Sequence, residues 1–416
     1  MDCSLTRSVG AGNHSARGLD GVNFFVAAVQ TGFGAFVTVY LVKNHWPPQA
    51  VGLALTIGTM SGLLSQMPAG GMIDSIYDKR RPVLLGIVGV GFAALLLGLT
   101  DTRPVVYFAL AVQGVASSFI GPAIAAISLA LVGQTALSER IGRNARFSSI
   151  GNGLAAGVMG IAGSYLPAVS VFLVSSALTL PALMSLSLIS RGPTEQPARS
   201  SLRNGRHRDE FEVTWQGMKS LLQDRRLMIF ATCVVFFFTA SAAVGPGFAA
   251  RVTIERPEFA TLVVAATILL PQAIVAAISP WIGRKVNISG RRPLLLVGWG
   301  LLPLPALLFA SLPGPYALVL GYPLNAVSGA IFGVTMPVVA ADLTRRTGWF
   351  NLTLGALGVA ISAGASLSTF FGGIVAAAFG PKLAAVGLAL VGLFGLLLLW
   401  AGMPETRPQE VLPASR

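Results

Sequence analysis

Residues 70–82 read GGMIDSIYDKRRP, and Asp74, Asp78, Lys79, Arg80 and Arg81 put five charges into eight of them. The stretches on either side, VGLALTIGTMSGLLSQMPAG (51–70) and VLLGIVGVGFAALLLGLTDT (83–102), are almost wholly apolar. A helix that crosses a bilayer needs about 20 mostly apolar residues. Both flanks have that length, so the charged knot reads as the short aqueous turn between two membrane spans. A similar knot returns at 283–293 as GRKVNISGRRP.

The rest of the chain has the same character. Of 416 residues, 54% are hydrophobic and 11% charged, against about 25% charged in a soluble domain, and the mean hydropathy is +0.73. Twelve segments qualify as spans: 20–42, 49–72, 82–100, 104–134, 147–167 and 169–189, then 227–250, 259–282, 293–312, 315–341, 350–379 and 382–402. The expected fold class is therefore an all-α membrane protein with twelve transmembrane helices in two six-helix pseudo-repeats. Its expected domains are an N-terminal tail (1–19), a first bundle (20–189), a central loop (190–226), a second bundle (227–403) and a C-terminal tail (404–416). The first 19 residues lack the apolar core of a secretory signal, so span 1 is expected to be retained. The central loop reads as a basic linker followed by an amphipathic helix. There Phe211, Trp215, Met218 and Leu222 share a face suited to a membrane surface.

The formal net charge of +13 raises the question of nucleic acid. Topology answers it. With loops assigned alternately to the two sides, only Lys43, Arg103, Arg251, Arg256 and Lys382 of the 29 lysines and arginines fall on one side. By the positive-inside rule the crowded side is cytoplasmic and holds both termini, and the basic balance needs no nucleic-acid partner. Cys3 lies in a polar tail and Cys233 in an apolar run, which leaves neither a disulfide framework nor a thiolate metal site.

The halves repeat one another. GFGAF at Gly32 returns as GPGFA at Gly245, RRPVLLG at Arg80 as RRPLLLVG at Arg291, and PAIAA at Pro122 as PVVAA at Pro337, at offsets of 211 to 215 residues. An even number of spans restores orientation, so these are parallel repeats, and such repeats place a substrate site between them near the bilayer midplane.

Twelve spans, a long central loop and a Gly-x-x-x-Asp cluster between spans 2 and 3 resemble the major facilitator superfamily of secondary transporters. The signature loop of that family runs Gly-x-x-x-Asp-x-x-Gly-Arg-Lys/Arg. Gly70 and Asp74 match it, whereas Tyr77 and Asp78 stand where glycine and arginine are expected. The second copy keeps Gly283, Gly290, Arg291 and Arg292 but has Asn287 for the aspartate, and MPETR at Met403 resembles the family's ending. The resemblance implies that Asp74 faces the N-terminus of span 11 near Phe350–Leu352, where unpaired amides and the helix dipole favour an anion. It implies for Asn287 a weaker counterpart at the start of span 5, near Arg146–Ser148. Asp74, Lys79, Arg80, Arg81, Asn287, Arg291 and Arg292 are thus the candidate gating residues, the cations also being suited to anionic headgroups.

In the family, spans 1, 4, 7 and 10 line the cavity. The candidate substrate contacts are Asn23, Gln30 and Thr31 on span 1, Gln113 and Ser117 on span 4, Thr239 on span 7, and Tyr322 and Asn325 on span 10, with Thr232 and Ser328 beside them. Intramembrane ionisable groups are costly and mark function. Asp20 alone approaches the cavity face of span 1, which makes it the candidate proton site. Leu110 stands where many proton-coupled members carry arginine. Pro122, Pro246, Pro271, Pro305, Pro323 and Pro337 are candidate hinges, Gly153 and Gly157 a candidate packing pair, and Phe236 to Phe238 candidate aromatic contacts.

No catalytic constellation, metal cluster or cofactor motif stands out, so no enzyme is expected. The expected function is alternating-access export of a small neutral or amphipathic organic compound, as in drug-efflux members, with protons as candidate coupling ions. The chain is expected as a monomer among lipids of the inner (cytoplasmic) membrane. The alternatives are an uptake facilitator or symporter for a neutral metabolite, and a receptor or scaffold that does not transport.

Overall fold

A computed structural model describes residues 3–33, 35–190, 210–244, 247, 251 and 260–407, and its regular elements are all α-helical. Span 1 is built from α1 (Cys3–Thr31) and α2 (Ala35–Lys43), span 2 from α3 (Pro48–Ser75) and span 3 from α4 (Arg80–Leu99). A continuous run, α5 (Arg103–Tyr165), carries spans 4 and 5. Span 6 is divided into α6 (Ser170–Ala177) and α7 (Thr179–Ser187). After the loop come α8 (Glu210–Gln223), α9 (Arg225–Ser241) in span 7 and α10 (Ala260–Ser289) in span 8. Span 9 is α11 (Arg291–Leu301) with α12 (Pro303–Ser311), span 10 is α13 (Gly314–Thr344), span 11 is α14 (Phe350–Phe379) and span 12 is α15 (Pro381–Gly402).

Four boundaries differ from the sequence expectation. Helix α1 begins at Cys3 and runs through the expected tail, since a helix once started propagates outward wherever no proline stops it. It is interrupted after Thr31, where a Cβ on Gly32 would strike Ser175 of span 6. Spans 4 and 5 meet at Gly133, whose φ of 67° and ψ of −178° only glycine adopts readily. Span 5 therefore begins at Gln134 instead of residue 147, and Arg140, Arg143 and Arg146 lie on a helix instead of in a loop. Span 9 is broken between Leu301 and Pro303, while Pro122, Pro271, Pro323 and Pro337 sit inside helices; Pro246 lies outside the described residues.

The first half is held by apolar cores around Ile87, Ile127 and Leu186, and around Tyr40, Leu97 and Phe172. The second half packs around Trp299, Phe237 and Phe332. Phe237 stacks on Phe332 at 4.8 Å and lies 4.7 Å from Trp299, so Phe237 belongs to this core and not to a substrate cavity. Phe236 packs instead on Phe394 at 5.0 Å, and Phe238 edge-on to Phe332 at 5.3 Å.

Helix α8 lies across the charge-rich end of the bundle. Gly217 touches Trp349 and Leu352 of the second half, and Leu221 is buried in a cluster that includes Met67 of span 2. The packed face is Gly217, Met218 and Leu221, whereas Trp215 and Leu222 are exposed. Phe211 has no described side chain. The shared face expected from the sequence is thus rotated, because a glycine lets α8 approach closely and so turns the helix toward the bundle.

Candidate functional site

Asp74 ends span 2 and is buried against the first turn of α14. Its Oδ1 accepts from the Asn351 N–H at 3.0 Å and from Asn351 Nδ2 at 2.7 Å, and its Oδ2 accepts from the Leu352 N–H at 2.9 Å. The two backbone N–H donors are among the orphan amides of a helix N-terminus, which attract an anion. The approach is possible because Gly70 and Gly355 present no side chain where spans 2 and 11 meet backbone to backbone. Gln66, farther along span 2, donates to Ser362 Oγ at 3.4 Å.

A second seam joins spans 5 and 8. Ser138 Oγ donates to the Gly283 carbonyl at 2.7 Å and Asn287 Nδ2 to the Thr135 carbonyl at 3.0 Å, while Gln134 Nε2 beside them donates to the Ala341 carbonyl of span 10 at 3.3 Å. Gly142 and Gly283 make the close approach. Asn287 therefore meets span 5 at Thr135 and not at Arg146–Ser148, because span 5 starts at the Gly133 kink. Both seams join one half to the other, and both lie at the charge-rich end.

The cations expected in the gate do not reach across it. Lys79 is buried and donates at 2.6 Å to the carbonyls of Ile73 and Ile76, capping the end of span 2. Burial pushes its amine down, and Asp74 nearby pulls it partly back. The Arg80 N–H donates to Asp78 Oδ1 at 3.0 Å, and Arg81 is largely exposed. Arg291 forms a buried pair with Asp342 at 2.9 Å, and Arg292 Nη2 donates to the Trp400 carbonyl at 2.7 Å. Every one of these partners lies in the same half as its cation.

Asp20 also stays within its own half. Arg140 Nη2 reaches its Oδ1 at 2.5 Å and Arg143 Nη2 its Oδ2 at 2.5 Å, while Arg143 Nε lies 3.0 Å from both oxygens. Arg140 Nε donates onward to Asn144 Oδ1 at 2.8 Å, and Asn144 Nδ2 to Ser128 Oγ at 2.8 Å. Asp20, expected as the proton site, is thus held by two arginines of its own half and lines neither chamber described below. The signal in the sequence was the i, i+3 spacing of Arg140 and Arg143, hidden while these residues were read as loop.

Two chambers share Ser117 in their lining. The first, about 410 Å³, lies between spans 1, 4 and 5 and is faced on the other side by Gly333 and Pro337 of span 10. Asn23, Gln30, Ser148 and Asn152 line it. The second, about 530 Å³, lies between spans 1, 2, 4 and 11, with Phe33, Leu55, Leu63, Gln66, Gln113 and Ser362 in its wall.

Of the expected contacts, Asn23, Gln30, Gln113 and Ser117 come together here. Thr31 stands beside them, its Oγ1 donating to Asn152 Oδ1 at 2.9 Å. Those of the second half do not line either chamber. Thr239 and Thr232 donate to carbonyls of their own helix at 2.8 and 2.9 Å, Tyr322 to the Thr267 carbonyl at 2.7 Å, and Ser328 to the Gly298 carbonyl at 2.7 Å. Asn325 is half-buried outside both chambers. Sequence reasoning missed Asn144, Ser148 and Asn152, a stripe at i, i+4 and i+8 that marks one face of span 5. The expected packing pair Gly153 and Gly157 makes no tight contact; Gly114, against Gly58 and Gly62, does.

The family model described as Major Facilitator Superfamily matches residues 19–348. An uncharacterized MFS-type transporter of Mycobacterium tuberculosis, in strains CDC 1551 / Oshkosh and ATCC 25618 / H37Rv, is 32% identical over 403 residues, covering 96% of each chain. Among solved structures, the human organic anion transporter MFSD10 (TETRAN) superposes with a TM-score of 0.72 at 14% identity, over 93% of this chain and 99% of that one. The nucleoside transporter NupG does so with a TM-score of 0.65 at 14% identity, over 94% and 100%. At that identity the two structures speak for the fold alone.

Proposed function

The chain belongs to the major facilitator superfamily, and on that premise we propose that it carries a small uncharged or amphipathic organic molecule across the cytoplasmic membrane by alternating access, with Asp74 as the reversible latch of one gate. It is a multi-pass membrane protein and a secondary transporter. The single observation that carries the gate is the sorting of polar contacts. Hydrogen bonds onto backbone, which can break and re-form, join the halves at one end, whereas the buried ion pairs stay inside a half. Rocking about the cavity breaks the first set and spares the second.

The cargo reading follows from the chambers, whose walls carry no formal charge. A charged cargo would leave water without a countercharge. Export is the direction implied by the resemblance to efflux members. Where export is energised by protons, we assign the coupling proton to Asp74. Of Asp20, Asp74 and Asp342, it alone loses its partners when the halves separate at this end.

The test is accumulation of amphipathic dyes and antibiotics in efflux-deficient cells, with and without the protein, before and after a protonophore. Lower accumulation that the protonophore reverses is the expected result. Raised accumulation overturns the export direction in favour of uptake, and unchanged accumulation overturns the efflux cargo.

A further inference from the structure

The amide groups around the two chambers are unevenly satisfied. Asn144 is engaged at both ends of its amide, Oδ1 by Arg140 and Nδ2 with Ser128. Asn152 Oδ1 is taken by Thr31, which leaves its amide hydrogens free. Asn23 Nδ2 donates to the Leu19 carbonyl at 2.7 Å, while its Oδ1 has only Ser148 Oγ at 3.4 Å. Gln30 makes no side-chain hydrogen bond among the described residues, and Gln113 spends Nε2 on Ser117 at 3.0 Å and keeps Oε1 free. Unused donors and acceptors thus line both chambers, Gln30 and Asn152 in the one between spans 1 and 5 and Gln113 in the other, and the wall of the former from the second half offers Gly333 and Pro337.

Gln30 and Asn152 are half-buried, and their unused amide groups suit the chamber to a guest that both donates and accepts. The nearest ionised groups, Asp20 and Arg140, are consumed by one another. The adjoining chamber, with Phe33, Leu55 and Leu63, suits an apolar group. We infer that the chamber between spans 1 and 5 is the specificity subsite for an uncharged hydroxyl- or carboxamide-bearing head, read by Gln30 and Asn152 of the first half, while the apolar remainder of the cargo lies in the adjoining chamber. This rests on the transport reading of the cavity.

The test uses the purified full-length chain and five probes built on one aromatic ring: 2-phenylacetamide and phenyl β-glucoside (neutral heads), phenylacetate and 2-phenylethylammonium (charged heads), and toluene (no head), each titrated calorimetrically. The neutral heads are expected to bind at least about ten-fold more tightly than the charged ones. Gln30→Leu is expected to weaken the neutral heads about ten-fold, the effect of one or two lost hydrogen bonds. Toluene binding and the melting temperature of the probe-free protein should stay as they were, which a merely structural role would not produce. Asn152→Ser removes the amide donors yet keeps an acceptor for Thr31, and should act in the same direction.

Charged heads that bind as tightly as neutral ones overturn the inference. So does an unchanged neutral-to-charged ratio in both variants, or the failure of both neutral heads to bind at millimolar concentration. Counterflow of the same probes in proteoliposomes separates the two readings. Head-selective binding without counterflow removes transport and keeps the subsite, whereas counterflow without head preference removes the subsite alone.

Discussion

A carboxylate inside a bilayer must find donors, and Asp20, Asp74 and Asp342 find three different sets. Two guanidinium groups enclose Asp20, of which the Arg140 side chain is only 5% exposed. Removing one partner of a buried pair strands the other. Asp20→Asn is accordingly expected to destabilise the protein by on the order of 3 kcal/mol, read as a lowered Tm, while the pH dependence of transport survives. A stable variant whose pH dependence is lost would restore Asp20 as the proton site. Outside the spans, Glu405 plays a comparable part for the C-terminal segment. Its carboxylate accepts from the N–H groups of Arg291, Arg292, Thr406 and Arg407 at 2.9–3.0 Å. Burial pushes its pKa up, but these four donors together hold it below the ordinary 4.5. For a depressed pKa the stabilisation is fully present above the ordinary value and disappears as pH falls through the lowered one. Hydrogen-exchange protection of the Arg291 and Arg292 amides is therefore expected to be high at neutral pH and to collapse in acid below 4.5; equal protection at both would remove Glu405 as the cap of α11.

Helices in this bundle meet where a side chain is missing, and the consequence of filling the gap depends on which helices meet. A Cβ on Gly142 would strike the Ser279 carbonyl across the seam between the halves, whereas one on Gly114 would strike the Gly58 carbonyl within the first half. Overpacking costs about 1–3 kcal/mol in either case. Gly142→Ala is expected to raise the population open at the charge-rich end about ten-fold or more, seen as a longer spin-label distance between the ends of spans 2 and 11, with little change in Tm. Gly114→Ala is expected to lower Tm and leave that distance alone, and the reverse pattern would overturn the assignment of the two contacts. The distinction was only partly legible in the sequence. Apolar length shows spans 2, 3 and 12 directly, because lipid sets that length. The helix of span 5 starts at Gln134, ahead of the expected span, because Arg140, Arg143 and Arg146 look like loop residues until Asp20 is found facing two of them. The polar groups of span 1 stood out against an apolar background, and Asn23 and Gln30 do face the chamber. Those of spans 7 and 10 stood out equally and do not, since whether a hydroxyl turns to its own helix, as Thr239 does, leaves no trace in spacing.

At the scale of the molecule, each half has its own internal ion pair, the core around Trp299 takes in Leu137 and Ile141 of the first half, and the state described here is set by two separate seams. Asp74 closes the seam of spans 2 and 11, and Asn287 helps close that of spans 5 and 8. The first contact includes a charge-assisted hydrogen-bond set and the second a neutral, exposed bond, so their contributions differ. Losing the charge in Asp74→Asn should cost the closed state roughly 1.5–3 kcal/mol, and Asn287→Ala about 0.5–1 kcal/mol. The two residues do not touch. If the halves move as rigid bodies, both substitutions act on one equilibrium, and their free energies should add in the double variant. Spin-label pairs across each seam should then report the same population in every variant. If Asp74→Asn instead lengthens the distance between spans 2 and 11 while spans 5 and 8 stay closed, the halves flex, the seams open independently, and the single-latch form of alternating access proposed here fails.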